Sequence, residues 1–590
     1  MKKKTLIELL LRCLEKFDNN NGIINTKVGE DYVPVSRYEL LSEVKKLKKY
    51  FDSLKLKAND KVAIISENRT EWIITDFACM LSNLISVPLF TSLSAEATKY
   101  ILKDSSCIIC FVSNELQLHK VLSVKNELPE LKYIVCFNQV KTNGNVLSFQ
   151  KLLNSFKETD GKDIKNIIED LSKDISEEDI VTIIYTSGTT GIPKGVMLTH
   201  KNICSNILAC MKVLALTEND SFLSFLPFSH SYERTAGYYL AFFSGSKIYF
   251  AKSIDTIAMQ MQEVKPTMMI TVPRLLDKMY NRVMRRSDDM PDGFGKKLFV
   301  WAIKLAKNHK RKKYSIKWFI ADKLVYKKII ARTGGRVKFF VSGGGALNKS
   351  VGEFFDRIGI TTLEGYGLTE TSPVISVNRP GKNKYGTVGI PLDGVEVKVA
   401  ADSEIIIRGD LVMKGYYKSE EETRKTIKDG WLYTGDIGKI DKENYIMITD
   451  RKKSLLKSSG GKYIPPTHIE DIVQQLTYID QVLIIGNERM YVTALIVPDI
   501  EELRNLSKKM NLNIQSNSDL VRNKELLKKI DTDINNIQKD LSQYEKIRKF
   551  TLLEKPFTIE SGELTPTMKI KRKIVEEKYK DIIEKMYHKV

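Results

Sequence analysis

VTIIYTSGTTGIPKGVMLTH, residues 181–200, decides how this chain is layered. Short apolar, β-branched runs such as VTII and VML read as strands. Between them, residues 185–195 hold three glycines, one proline, three threonines, a serine and a single lysine, Lys194. Glycine supplies backbone freedom, and hydroxyls and exposed N–H groups supply donors, so the loop suits wrapping a phosphate chain with Lys194 as a point charge. It is not a Walker A sequence, because there the lysine is followed by Ser or Thr and opens a helix. Here Gly195 and a second strand follow Lys194, which predicts a strand–loop–strand nest. Taken alone, such a segment also reads as an ordinary surface turn.

Outward from this stretch, residues 60–250 alternate short apolar strands (KVAIIS, CIICFV, YIVCF, SKIYFA) with amphipathic helical stretches. That alternation predicts an α/β fold, with helices covering sheets. A helical region at about 274–333 precedes KFFVSGGGAL, a strand running into a glycine turn. From 386 to 449 the pattern changes to short strands and tight turns, predicting a small β subdomain. After DRKKSLLKSSGG come mixed strands and helices, then a polar helical stretch at 503–546. The main boundary is placed at about Asp450. A large N-terminal domain, 1–449, consists of layered sheets and helices with the β subdomain, and a small mobile α+β domain spans 450–590.

A chain of 590 residues is too long for one core. Seven cysteines, all before residue 211, make no disulfide framework and fit a reducing, cytoplasmic compartment. Cys107 and Cys110 have redox-motif spacing but read as core thiols pointing to opposite faces of a strand. The opening MKKKTLIELLLRCLEKF is interrupted by Glu8 and Arg12 and reads as an amphipathic helix rather than a signal peptide. No segment reads as a membrane span. Net charge is +20, and between 296 and 338 fifteen Lys/Arg face one acid, Asp322. That stretch reads either as a solvated basic face or as a peripheral contact with anionic membrane. Nucleic acid is not expected, since no RRM, KH or zinc pattern is present.

Four later segments bear on the loop. LEGYGLTE (363–370) puts an aromatic, glycines and a carboxylate at a strand end. YTGD (433–436) offers an acid suited to a ribose diol. DRKKSLLKSSGGK (450–462) adds Arg451 and a Gly-Gly turn, and LTPTMKIKRK (564–573) gathers cations near the C-terminus. Together, in this order, they resemble the adenylate-forming acyl-CoA synthetase superfamily over about residues 25–580. LPFSHSYERTAGYY, TVPRLLDKMY and LEGYGLTETSPVISVNRPG look most like its long-chain fatty-acid branch.

The resemblance implies activation of a fatty acid by ATP and Mg²⁺ to an acyl-adenylate, then transfer to CoA. It implies that Thr186, Ser187, Gly188, Thr189, Thr190, Gly191 and Lys194 hold the β- and γ-phosphates. Glu370, with Thr189, would hold Mg²⁺. Tyr366 would stack on adenine, with Gly367 and Thr369 beside it and the Gly343, Gly344, Gly345 turn opposite. Asp436 and Arg451 would take the ribose, and Lys569 the α-phosphate and attacking carboxylate. His230 would lie near that carboxylate, with Phe225, Phe228, Tyr232 and Tyr238 as candidates for the acyl tunnel. Asp450 would be the hinge, Gly460 and Gly461 would pass the pantetheine arm, and Lys457 falls where some relatives carry a second-step lysine. The rival readings are an adenylate-former that loads a carrier protein, and an enzyme for medium-chain or other acids. Oligomeric state is not legible.

Overall fold

The computed structural model describes residues 4–141, 146–156, 164–187, 193–312, 315–452, 454–558, 561–565 and 570–587. The chain divides into two compact units. The first comprises Met1–Lys398, Ile406–Thr434 and Ile440–Met447, and the second Val399–Ile405, Gly435–Lys439 and Ile448–Val590.

In the first unit an eight-stranded sheet runs in the order Gly415–Tyr416, Pro193–Thr199, Ile180–Ser187, Ile85–Leu89, Lys61–Ile65, Ile109–Val112, Tyr133–Cys136, Val146–Ser148. The quoted stretch is its antiparallel pair, with Thr186 opposite Lys194 and Ser187 opposite Pro193. Ile85–Leu89 is a central strand despite Pro88, which stands opposite Ile64. Proline removes a ladder donor and argues against a central strand, but the pairing to Ile180–Ser187 is recorded at Ser86–Thr182, two residues before it.

A nine-stranded sheet holds Phe339–Ser342 between Met268–Thr271 and Thr361–Gly367, with Ser221–Ser224 next to Met268–Thr271. These four strands are parallel, and their carboxyl ends lead directly into the glycine turn at 343, the Tyr366 segment and the 225–232 turn. Ligands bind at such strand ends in open α/β sheets. A buried ion pair lies inside this unit. Arg234 on the π-helix Glu233–Tyr239 meets Asp76 on the helix Thr70–Leu81, and both side chains are 1% exposed.

The N-terminal stretch is the helix Leu6–Lys16, with Leu6, Leu10, Cys13 and Leu14 buried on it. Cys107 precedes the strand Ile109–Val112, so strand alternation does not reach it. Contrary to the expectation of opposite faces, Cys107 and Cys110 share one core cluster. Both are free, and burial pushes the Cys107 thiol up to about 12. No described helix is long and apolar enough to cross a membrane.

In the second unit, Ile479–Ile485, Val492–Pro498 and Ile547–Leu552 form a three-stranded sheet covered by the helices Pro466–Val473 and Lys524–Ile537. Leu456–Lys457 and Tyr463–Ile464 form a hairpin. The polar stretch at 503–546 is helical over Ile500–Lys509, Asn517–Arg522 and Lys524–Ile537. Short strands occupy 396–399, 404–408, 427–428, 431–440 and 446–451, as the turn-rich pattern there predicts.

Candidate active site

The loop's strands place Lys194 beside residues that its own segment does not reveal. Gly415–Tyr416 pairs with Pro193–Thr199, setting Tyr416 opposite Val196. The ammonium of Lys194 pairs with the Glu422 carboxylate and lies 5.3 Å from the Tyr416 ring centre. Lys194 and Lys425 hold the Glu422 carboxyl down to about 2. On its other side the Tyr416 hydroxyl donates to Glu370 Oε1 at 2.9 Å. Burial, then the Glu370 charge, push that phenol up, so it stays a donor. Tyr416 therefore links the phosphate-loop strand to the carboxylate at 370. Thr186 and the backbone of Ser187 end their strand here. Gly188, Thr189, Thr190 and Gly191 lie outside the described residues.

Glu370 follows the strand Thr361–Gly367, which ends at a tight turn. A Cβ on Gly367 would stand 1.7 Å from the Pro373 carbonyl oxygen, so only glycine fits. The next residue but one, Thr369, has its Oγ1 3.1 Å from Ser231 Oγ, which ties the motif to the segment carrying His230. The Nδ1 of His230 accepts the Tyr232 N–H at 3.1 Å, leaving Nε2 to carry the proton. The Tyr232 hydroxyl donates to the Val341 carbonyl at 2.9 Å. Its ring fills the space a side chain at 343 would need, since a Cβ on Gly343 would lie 2.8 Å from it. Gly344, at φ +77°, makes the turn that follows.

These pieces enclose one cavity of about 60 Å³. His230, Ser231, Tyr366 and Thr369 make its polar side, with Gly343, Gly344 and Gly367 in the wall, and Leu214, Leu240, Ile270 and Val377 continue it into the apolar interior. Gly345 follows the turn but is not among the lining residues. Of the four tunnel candidates only Tyr232 lines the cavity. Phe228 and Tyr238 pack on each other and on Trp72, with ring centres 5.1–6.0 Å apart, and Phe225 packs against a different core cluster.

In the second unit Arg451 Nε lies 3.1 Å from Asp436 Oδ1, and Asp436 is buried. Gly460 and Gly461 form the tip of the 456–464 hairpin, with Gly461 at φ +76° donating its N–H to the Ser458 carbonyl at 2.8 Å. Lys457 is exposed on that hairpin. Asp450 is buried, and its Oδ1 accepts the Arg451 N–H at 2.6 Å and the Thr467 hydroxyl at 3.2 Å. Burial raises its carboxyl. Lys569 lies outside the described residues.

Sequence reading missed Tyr416 and Glu422. Their segment, KGYYKSEEET, carries an aromatic pair and an acidic run, but nothing in it points 46 residues back to Glu370.

Residues 19–417 match the model of the AMP-binding enzyme family, and residues 453–590 that of the AMP-binding enzyme C-terminal domain. Long-chain-fatty-acid–CoA ligase FadD15 of Mycobacterium tuberculosis is 32% identical over 549 residues, covering 91% of this chain and 89% of that protein. Rat long-chain-fatty-acid–CoA ligase 5 is 32% identical over 622 residues, covering 100% and 89%. Among solved structures, the anthranilate CoA ligase AuaEII in complex with anthranoyl-AMP shares the fold at a TM-score of 0.71 and 19% identity, covering 97% of this chain and 96% of its own. A fatty acyl CoA synthetase of Mycobacterium tuberculosis does so at 0.63 and 20%, covering 98% of each. The chain belongs to the AMP-binding enzyme family.

Proposed function

We propose that this chain is a long-chain fatty-acid–CoA ligase. It activates a fatty acid with ATP to the acyl-adenylate, releasing pyrophosphate, and passes the acyl group to CoA with release of AMP. The observation that carries this reading is the cavity whose polar side is built from His230, Tyr366 and Thr369 and whose far side is aliphatic. An amphiphile with one carboxylate fits that polarity. The curated relatives, named as long-chain ligases, support the same substrate class.

The chemical problem is that carboxylate and α-phosphate repel. Cations and rigid contacts must offset that repulsion and align the attack. In this reading Thr186, Ser187, Gly188, Thr189, Thr190, Gly191 and Lys194 take the β- and γ-phosphates. Tyr366, Gly367 and the Gly343–Gly345 turn hold adenine, and Asp436 with Arg451 takes the ribose. Lys569 meets the α-phosphate during adenylation, Gly460 and Gly461 pass the CoA arm in the second step, and His230 orients the carboxylate. Mg²⁺ fits as an ion arriving on phosphate oxygens. Among the described residues no group of three or more His, Cys, Asp or Glu could hold a metal, and one carboxylate, Glu370, with Thr189 suffices for such an ion. When bound, it would neutralise charge on the phosphates.

The helical run 316–331 supports a peripheral membrane contact. One face buries Trp318, Ala321, Val325, Tyr326 and Ile329. The other exposes Ile316 (77%), Phe319 (68%), Ile320 and Leu324 between the exposed Lys317, Lys323 and Lys327. Exposed apolar side chains interleaved with lysines suit the interface of an anionic bilayer, with the lysine stems snorkelling.

The test is exchange of labelled pyrophosphate into ATP across carboxylic acids from short to very long, with CoA consumption measured in parallel. Exchange should require Mg²⁺ and peak with long chains, and Lys569→Ala should suppress it while ATP still binds. Exchange that ignores fatty acid would overturn the reading.

A further inference from the structure

The turn 225–232, which carries His230 and Tyr232, is held from behind by groups that do not line the cavity. Asn68, more than 150 residues earlier, donates from Nδ2 to the Leu226 carbonyl at 2.7 Å and accepts the Phe228 N–H on Oδ1 at 2.9 Å. It thus grips both sides of Pro227, whose carbonyl in turn accepts the His230 N–H at 2.9 Å. The same Nδ2 donates to Ser224 Oγ at 3.0 Å, and Ser224 Oγ donates to Glu233 Oε1 at 2.5 Å. Glu233 opens the π-helix Glu233–Tyr239, whose residue Ala236 lines the cavity. π-Helical turns concentrate at functional sites.

We propose that Glu233, acting through Ser224 and Asn68, is a positioning residue that sets His230 and Tyr232 against the fatty-acid carboxyl; this rests on the ligase reading.

Three observations carry it. Glu233 is 1% exposed, and its Oε2 is buried with no hydrogen-bond partner among the described residues. Its carboxyl folds back over its own helix into a recess that exists because residue 237 is glycine, where a Cβ would lie 2.5 Å from Oε1. Among the described residues no cation answers it. On its own helix the Arg234 guanidinium is committed to Asp76, and Tyr238 and Tyr239 are phenols held high by burial. On the preceding turn, Tyr232 is likewise held high and His230 Nδ1 accepts a backbone N–H. On the helix His200–Leu214 the group bearing on this region is the Cys210 thiol, pushed up to about 12. The strands Ser221–Ser224 and Met268–Thr271 offer hydroxyls. A carboxylate there would be a lone buried charge, which folded proteins avoid by protonation. Burial correspondingly raises the Glu233 carboxyl to about 8. The relay therefore works with a neutral acid. Ionisation would place a charge beside the turn and pull Ser224, and with it Asn68, out of register.

The experiment has an activity arm and a stability arm. In the first, fatty-acid-dependent pyrophosphate exchange, which needs no CoA, is followed from about pH 6 to 9.5. Wild type should lose exchange on the alkaline side near pH 8. Glu233→Gln, neutral throughout, should keep wild-type exchange at pH 7 within about threefold and lose that alkaline fall. Asn68→Ala should raise the fatty-acid KM about tenfold with the ATP KM unchanged. An alkaline limb that survives in Glu233→Gln, or an Asn68→Ala effect shared equally by both substrates, overturns the proposal. In the second arm, urea stability is compared between wild type and Glu233→Gln. A carboxyl raised in the folded state binds its proton more tightly there, so wild-type stability should fall relative to the variant between about pH 4.5 and 8. A constant difference across that window overturns the neutral acid. Wild-type exchange that ignores fatty acid overturns the ligase reading and the positioning role with it, while the stability arm still judges the carboxyl independently.

Discussion

Removing one member of the Asp76–Arg234 pair should cost far more than removing both. Arg234 donates from Nη1 to Thr182 Oγ1 at 2.7 Å, from Nη2 to Ser86 Oγ at 2.7 Å, and from Nε to the Tyr239 hydroxyl at 3.1 Å. The Tyr239 hydroxyl donates on to Asp76 Oδ2 at 2.6 Å. Burial opposes the guanidinium charge, and the Asp76 carboxylate together with the neighbouring tyrosines outweighs it and keeps the guanidinium charged. With both side chains 1% exposed, water cannot replace a lost partner. Asp76→Asn keeps shape and one acceptor but strands a buried cation, at about 3–5 kcal/mol. Arg234→Met leaves a buried carboxylate with hydroxyl donors and no cation, and a similar loss follows. The double variant strands no charge. Replacing both partners of a buried pair is often far less costly than removing one, so the double variant should lose less than either single one and the coupling should be at least about 3 kcal/mol. Urea unfolding of the four proteins closes the cycle, with Trp72, whose ring centre lies 5.2 Å from the guanidinium, as a local fluorescence probe. Losses that add within about 0.5 kcal/mol would refute the reasoning.

Tyr416→Phe removes the hydroxyl that orients Glu370. Supporting hydrogen bonds to a metal-bearing carboxylate are worth about 10–100-fold in affinity. Glu370 is only partly buried, so roughly tenfold more Mg²⁺ should be needed for exchange, and an unchanged titration would count against the role of Glu370. His200 is buried, its Nδ1 accepts the Leu6 N–H at 3.3 Å, and burial pushes it down to about 4. Because the unfolded chain binds the proton first, wild-type stability should fall as pH drops from about 6.5 to 4, by about 3 kcal/mol in all. His200→Asn should flatten that slope in unfolding curves. Ile316→Ser combined with Phe319→Ser should lower partition onto vesicles rich in anionic lipid by roughly tenfold or more, as loss of buried apolar area requires. Equal sedimentation of both proteins would remove the membrane contact.

Short-range information determined much of this molecule. Alternating apolar strands and amphipathic helices dictate layers, because each element has one face to hide. The stretch 181–200 dictates an antiparallel pair around a hydroxyl-rich loop, and local chemistry alone makes that loop fit for phosphate. Glycine at 343 and 344 marks a turn after a strand, and the turn is there. What the sequence could not show is which distant side chains stand behind these motifs. Pro88 lies in a central strand opposite Ile64, and the pairing with Ile180–Ser187 at Ser86–Thr182 comes two residues before it. The spacing of Cys107 and Cys110 suggested opposite faces, whereas the strand starts only at Ile109. Among Phe225, Phe228, Tyr232 and Tyr238 nothing local separates a cavity wall from a core ring. The choice of Tyr232 follows from its hydroxyl reaching the Val341 carbonyl more than 100 residues away. Tyr416 against Glu370, and Asn68 behind His230, are likewise contacts across large sequence separations. Chain folding alone creates them, because a side chain's partners depend on where strands end in space, which no window along the sequence records.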